Sequence, residues 1–232
     1  MLTIDSLCWL CLQPLHIAHH GVCSVCIGQI PPLPRCCPCC GLPADSELFP
    51  CSNCRIKPPV WSQLIAVSDY VSPLTGLISR LKYHREDKYA PALARLMLLA
   101  WLKARRARGL PRPDLLLPVP LHRFRHWRRG FNQSERIVRL LSRWSDCRTH
   151  STALVRLIAT RPQQSLEAQQ RRSNLLGAFA CRADVRGLHV AVFDDVVTTG
   201  STVEEIGQLL LHHGAASVQV WCLCRTLKSE SK

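Results

Sequence analysis

Acidic side chains are scarce in this chain of 232 residues: 16 Asp and Glu stand against 30 Lys and Arg, a formal net charge of +14. Long apolar runs are missing too. None approaches the roughly 18 residues that a membrane-spanning helix needs, so no such span is expected. The first residues carry no basic leader, and the apolar stretch from Leu7 to Leu12 is short and interrupted by Cys8 and Cys11. That pattern argues against a secretory signal and makes the cytoplasm the expected compartment. Large apolar side chains are few in the first 60 or so residues, and a segment of that size sits near the limit of what a hydrophobic core alone can hold. The chain as a whole has no such deficit: 47% of it is hydrophobic and 20% charged, too apolar to be disordered. The length suits one ordinary domain with a small companion.

What the first segment has instead is cysteine. Ten of the fourteen fall within residues 8–54, and most form C-x-x-C pairs: Cys8/Cys11, Cys23/Cys26, Cys37/Cys40 and Cys51/Cys54, with first members 15, 14 and 14 residues apart. Two thiolates at this spacing can turn around one ion, and two such knuckles close a tetrahedral tetrathiolate shell, so eight ligands suit two structural zinc ions. The metal would supply much of the segment's stability. Disulfides or redox-active pairs are the competing reading, weakened by the absence of an export signal. Spacing leaves two questions open. Cys36/Cys39 has the same separation as the favoured Cys37/Cys40, which Gly41 follows as a turn residue, and neighbouring or alternate pairs could share an ion. His16, His19 and His20 read as plain surface residues.

Lys57-Pro58-Pro59 separates a cysteine-rich domain over 1–57 from a second domain over 61–232. Residues 1–60 hold Arg35, Arg55 and Lys57 against Asp5, Asp45 and Glu47, so the whole net charge belongs to the second domain. Residues 101–161 alone carry 15 basic side chains against Asp114, Glu135 and Asp146, the region where an anion would be drawn. Apolar runs at Leu64–Val67, Leu115–Val119, Ala153–Ile158, Val190–Phe193 and Val218–Leu223 read as strands. Leu74–Tyr83, Pro91–Arg106, Gln133–Trp144 and Thr202–His213 read as helices. Strand alternating with helix predicts an α/β domain with a parallel sheet flanked by helices, whose ligands bind beyond the carboxyl ends of the strands.

One such strand end carries the strongest signal. After Phe193 come Asp194 and Asp195, then Val196-Val197-Thr198-Thr199-Gly200-Ser201-Thr202, leading directly into a helical pattern. Two carboxylates there can accept hydrogen bonds from a vicinal diol and favour a magnesium-bound ligand. The small, hydroxyl-rich turn opens a helix N-terminus, where unpaired amides and the helix dipole hold a phosphate. Diol and phosphate together describe a ribose 5-phosphate. The competing reading is a strand followed by a capped helix, with both acids merely solvated.

In this order the residues resemble the phosphoribosyl pyrophosphate motif of type I phosphoribosyltransferases. Pro118-Val119-Pro120, the basic run His122 to Arg129, and Arg129-Gly130-Phe131-Asn132-Gln133 further resemble the pyrophosphate-side loop of the ComF family. Gln163, Leu166, Arg171, Asn174 and Ala178-Phe179 match another block of that family, and Leu81-Lys82-Tyr83 a shorter one. The doubled cysteines at 36 and 39 depart from its pattern. The resemblance implies a type I phosphoribosyltransferase-like sheet behind a small zinc-ribbon-like domain, and a role in uptake or use of external DNA. It implies that Asp194 and Asp195 hold the ribose hydroxyls and that Thr198, Thr199, Gly200, Ser201 and Thr202 hold the 5-phosphate. Arg128, Arg129, Arg171 and Lys82 would lie on the pyrophosphate side, with magnesium accompanying phosphoribosyl pyrophosphate; an ordinary solvated basic face is the alternative for these four.

Transfer from such a donor calls for electrostatic stabilisation and positioning rather than a strong base, so the motif leaves open whether the pocket transfers ribose 5-phosphate to a nucleobase or only binds its ligand. The run Arg123-Phe124-Arg125-His126-Trp127-Arg128-Arg129 alternates cations with aromatics, a composition suited to single-stranded DNA, although Phe124 and Trp127 could equally pack as core. A zinc-stabilised segment that recruits DNA-uptake proteins is a third reading.

Overall fold

A computed structural model of the chain describes residues 7–17, 20–83, 87–121, 131–157 and 177–227. In the cysteine-rich segment, α1 (Ser24–Gly28) and α2 (Ser52–Ile56) are short turns that each begin at a cysteine. β1 (Gln63–Ser68) leads to α3 (Leu74–Tyr83), a 3₁₀ turn at Asp87–Tyr89, and the long α4 (Ala90–Arg108). Then come β2 (Leu115–Pro118), α5 (Gln133–Ser145), β3 (Arg148–Thr149) and β4 (Leu154–Arg156). The chain ends with β5 (Phe179–Cys181), β6 (His189–Val197), α6 (Ser201–His212) and β7 (Ser217–Arg225).

Each helix has local reasons for its limits. In α3, Leu74, Leu77, Ile78 and Leu81 are buried at helical spacing. Pro91 occupies the first turn of α4, where its missing N–H costs nothing, and Gly109 ends the helix in the left-handed region at φ 63°. Asn132 caps α5 by accepting a hydrogen bond from the Ser134 amide at 3.0 Å.

β1, β7, β6, β2 and β3 form one parallel sheet in that order. Its residues face two ways. Ile65, Leu116, Ala191, Phe193, Trp221 and Leu223 pack against α3, α4 and α5. Leu64, Leu117, Val190, Val192 and Val220 pack against α6 and the β4–β5 pair. The expected parallel α/β sheet is therefore present, with one correction. Ala153–Ile158 does not join it: Leu154–Arg156 pairs antiparallel with Phe179–Cys181 on the second face. The fifth strand is Arg148–Thr149, too short and polar to carry an apolar signal.

The cysteine-rich segment shares this core, since Cys8, Leu15, Val22, Cys26 and Ile30 belong to the same buried cluster as α3 and α4. It also lies along the free edge of β1, where the Pro38 carbonyl accepts the Leu64 amide at 2.8 Å and the Pro31 carbonyl accepts the Ser68 hydroxyl at 2.7 Å. Among the described residues no helix is long and apolar enough to cross a membrane.

Candidate functional site

β6 continues past its apolar stretch, through Asp194 and Asp195 to Val197, pairing with β7 as far as Arg225. Beyond it, Thr198 and Thr199 are exposed, and Gly200 turns the chain at φ 84° into α6. That conformation favours glycine. The Thr199 and Ser201 hydroxyls lie 2.9 Å apart. Asp194 and the residues from Val196 to Val203 enclose a cavity of about 50 Å³. The five residues expected to hold a phosphate thus sit together at the carboxyl end of a parallel strand, around the first-turn amides of a twelve-residue helix.

The two acids have different surroundings. Asp195 is buried; its carboxylate accepts a hydrogen bond from Gln133 Nε2 at 2.7 Å and pairs with Lys82 Nζ at 2.9 Å. Burial alone would lower the Lys82 pKa, but the Asp195 carboxylate outweighs it and raises the group above its ordinary value. Asp194 is half-buried, and its Oδ1 accepts the Asp195 amide at 2.9 Å. Burial first, then the negative charge of Asp195, lifts its carboxyl to about 7, against the pull of Lys82. One acid is therefore tied to the scaffold, while its neighbour is the carboxyl group that lines the cavity.

Lys82, expected on the pyrophosphate side, is brought to the acids by the end of α3. Gln133 was not singled out in the sequence, although it lies in the family-like Arg129–Gln133 run; the preceding residue explains how it is aimed. Asn132 both caps α5 and donates to the Val119 carbonyl at 3.0 Å, fixing the start of the helix on the tip of β2. Arg128, Arg129 and Arg171 lie outside the described residues, as do the run from His122 to Gly130, the block from Gln163 to Asn174, and His19.

The eight expected cysteine ligands form two clusters, Cys8/Cys11/Cys23/Cys26 and Cys37/Cys40/Cys51/Cys54, with all four sulfurs in each within 4.8 Å of one another. Neighbouring pairs therefore meet, and Cys37/Cys40 is the register that does so. A tetrahedral zinc with Zn–S of about 2.3 Å requires sulfurs about 3.8 Å apart; Cys11 and Cys23 stand at 3.8 Å, Cys40 and Cys51 at 3.9 Å. Backbone amides already point at the sulfurs, with Cys23 N–H 3.4 Å from Cys8 Sγ and Cys51 N–H 3.3 Å from Cys37 Sγ. At Cys8 burial works against ionisation, but these amide contacts outweigh it and bring the thiol down to about 6; Cys37 falls to about 7 for the same reason. Each cluster fits one zinc ion. His16 and His20 belong to neither cluster.

The second cluster adjoins the bend at Thr198–Thr202. Arg225 is buried and donates through Nε to the Cys40 carbonyl and through Nη1 to the carbonyls of Val197 and Thr198. Trp61 Nε1 donates to the Cys39 carbonyl at 2.6 Å, and its ring lies against Gly200. Neither residue belongs to a motif visible in the sequence. Arg225 follows the apolar run that defined its strand, and only its burial sets it apart from other surface-type cations.

A family model described as phosphoribosyl transferase domain matches residues 128–232. The chain is 53% identical to the DNA utilization protein YhgH of Escherichia coli O6:H1 over 98% of this chain and 100% of that protein. It is 39% identical to competence protein F of Haemophilus influenzae, covering 94% of this chain and 96% of that one. With competence protein ComFC of Bacillus subtilis it shares 25% identity over 82% of this chain and 78% of the relative.

Proposed function

The chain belongs to the ComF family, and from that premise we propose that it acts in the uptake or use of external DNA, in the cytoplasm, with the β6 tip binding phosphoribosyl pyrophosphate or a related ribose 5-phosphate. One observation carries the ligand: a carboxylate, a hydroxyl-lined bend and a helix N-terminus enclose a single cavity at a strand's carboxyl end. Thr198 to Thr202 receive the 5-phosphate, and Asp194 faces the ribose diol. Lys82 and Gln133 serve the ligand through Asp195, holding that carboxylate in place. Arg128, Arg129 and Arg171 are assigned to the pyrophosphate. Asp194 would be the side chain that holds a magnesium ion accompanying the ligand, and such an ion would supply positive charge to the pyrophosphate. Zinc fills the two cysteine clusters.

Calorimetric titration with phosphoribosyl pyrophosphate and magnesium tests the assignment. Asp194→Ala and Asp195→Ala are each expected to weaken binding by about tenfold or more. Binding at full strength in both variants overturns it. Release of pyrophosphate with any nucleobase would make the protein a transferase, the alternative that this same pocket permits.

The charge distribution favours single-stranded DNA as a second ligand. Cations crowd residues 101–161, including Arg105, Arg106 and Arg108 in the last turn of α4. About six phosphate contacts predict a log–log salt slope of roughly −4 to −5. If the arginines from 123 to 129 serve both ligands, phosphoribosyl pyrophosphate and an oligonucleotide compete; independent binding argues against a shared patch. Recruitment of uptake proteins is assigned to the cysteine-rich segment.

A further inference from the structure

Arg225 ends β7 at 5% exposure, and its described hydrogen bonds run to backbone carbonyls: Cys40 at 2.9 Å, Val197 at 3.1 Å, Thr198, and Thr226 at 3.4 Å. A buried guanidinium without a carboxylate among these partners is costly unless other negative groups compensate. Four thiolates around one divalent zinc carry a net charge of about −2, and Arg225 touches that cluster through the Cys40 carbonyl. The same side chain holds the carbonyls of Val197 and Thr198, where the bend begins. A parallel strut runs from Cys39 through Trp61 to Gly200: a Cβ added at Gly200 would stand 3.2 Å from the indole ring.

We propose that Arg225 is a positioning residue for the bend at Thr198–Thr202, and that metal in the Cys37/Cys40/Cys51/Cys54 cluster holds the bend in its anion-binding shape through Arg225 and Trp61. The ligand half of this inference rests on the sugar-phosphate reading above; the positional half does not. Metal loss loosens both struts, because the knuckle that orients the Cys39 and Cys40 carbonyls opens and the charge facing Arg225 falls. The first cluster, packed against α3 and α4 on the opposite face of the sheet, has no such connection among the described contacts.

Arg225→Lys and Trp61→Phe, with zinc content verified at two per chain, separate this role from general stability. Hydrogen–deuterium exchange of the Glu204 and Thr226 amides, which bond the Gly200 and Val197 carbonyls on either side of the bend, is expected to quicken about tenfold, while the β2 and β6 amides keep their protection. Phosphoribosyl pyrophosphate should bind about tenfold to a hundredfold more weakly. Cys54→Ser, which opens the second cluster, should loosen the same amides, and adding Arg225→Lys to it should loosen them little further, since both act through one strut. Unchanged exchange at the bend in both metal-loaded variants overturns the proposal. Should Arg225→Lys fail to fold, Trp61→Phe decides alone, since it removes both the hydrogen bond to Cys39 and the indole edge that lies against Gly200. Should the native protein bind no phosphoribosyl pyrophosphate, the sugar-phosphate reading fails while the exchange measurements still decide the positioning role.

Discussion

A carboxyl kept protonated to about pH 7 by burial and a neighbouring negative charge, as at Asp194, detracts from stability wherever it is ionised, and functional sites tolerate such costs. Its folded pKa lies above the ordinary carboxylate value, so the folded state binds the extra proton. Stability therefore falls as pH rises from about 4 to about 7 and levels off above that. Asp194→Asn is expected to match the native protein near pH 4 and to exceed it by on the order of 1–3 kcal/mol at pH 8. Thermal melts at the two values check this, and an equal offset at both would rule out the titration. At this scale the acids and the Thr198–Thr202 bend were legible because they are contiguous. The partnership of Gln133 and Lys82 with Asp195 was not, because it joins residues from α5, α3 and β6. Nor was the cysteine register, since two C-x-x-C pairs overlap by one step at 36–40 and only the backbone path decides which sulfurs converge.

At the scale of elements, α6 depends on how it begins. Gly200→Ala would force a left-handed residue and crowd the Trp61 ring, so it is expected to cost about 1–2 kcal/mol in denaturant unfolding and to weaken ligand binding. Gly76→Ala offers the contrast: it lies within α3 with nothing within 4 Å of the added carbon, and should be neutral or stabilise by about 0.5–1 kcal/mol. Two equal losses would refute the geometric explanation. Asn132→Ala removes a cap and the bond to Val119, for a loss of about 1–2 kcal/mol. Helical spacing gave α3 its full extent and α5 its first residue. Strand partners are less visible in sequence: a short apolar run such as Ala153–Ile158 has the same pattern whichever neighbour it meets, and β3 offers no apolar residue at all.

Across the whole molecule, residues 7–57 and the α/β core are joined by shared packing. Lys88 Nζ lies 5.0 Å from the Trp9 ring centroid, Trp9 meets Tyr89 edge-on, and Val22 and Ile30 are buried with α4 residues. Chelation is therefore expected to lower the stability of the entire chain by several kcal/mol in a single transition, with two zinc ions released per chain. Scanning calorimetry with metal analysis checks this. A separate late transition unmoved by the chelator would contradict the shared core.

The prolines lying against β1 have a further consequence. Their carbonyls blunt a rim that could otherwise recruit a foreign strand. A chain cut back to start at residue 58 leaves that rim bare and should sediment as clumped species, so a lost phenotype in such a truncation would measure stickiness as much as any missing partner.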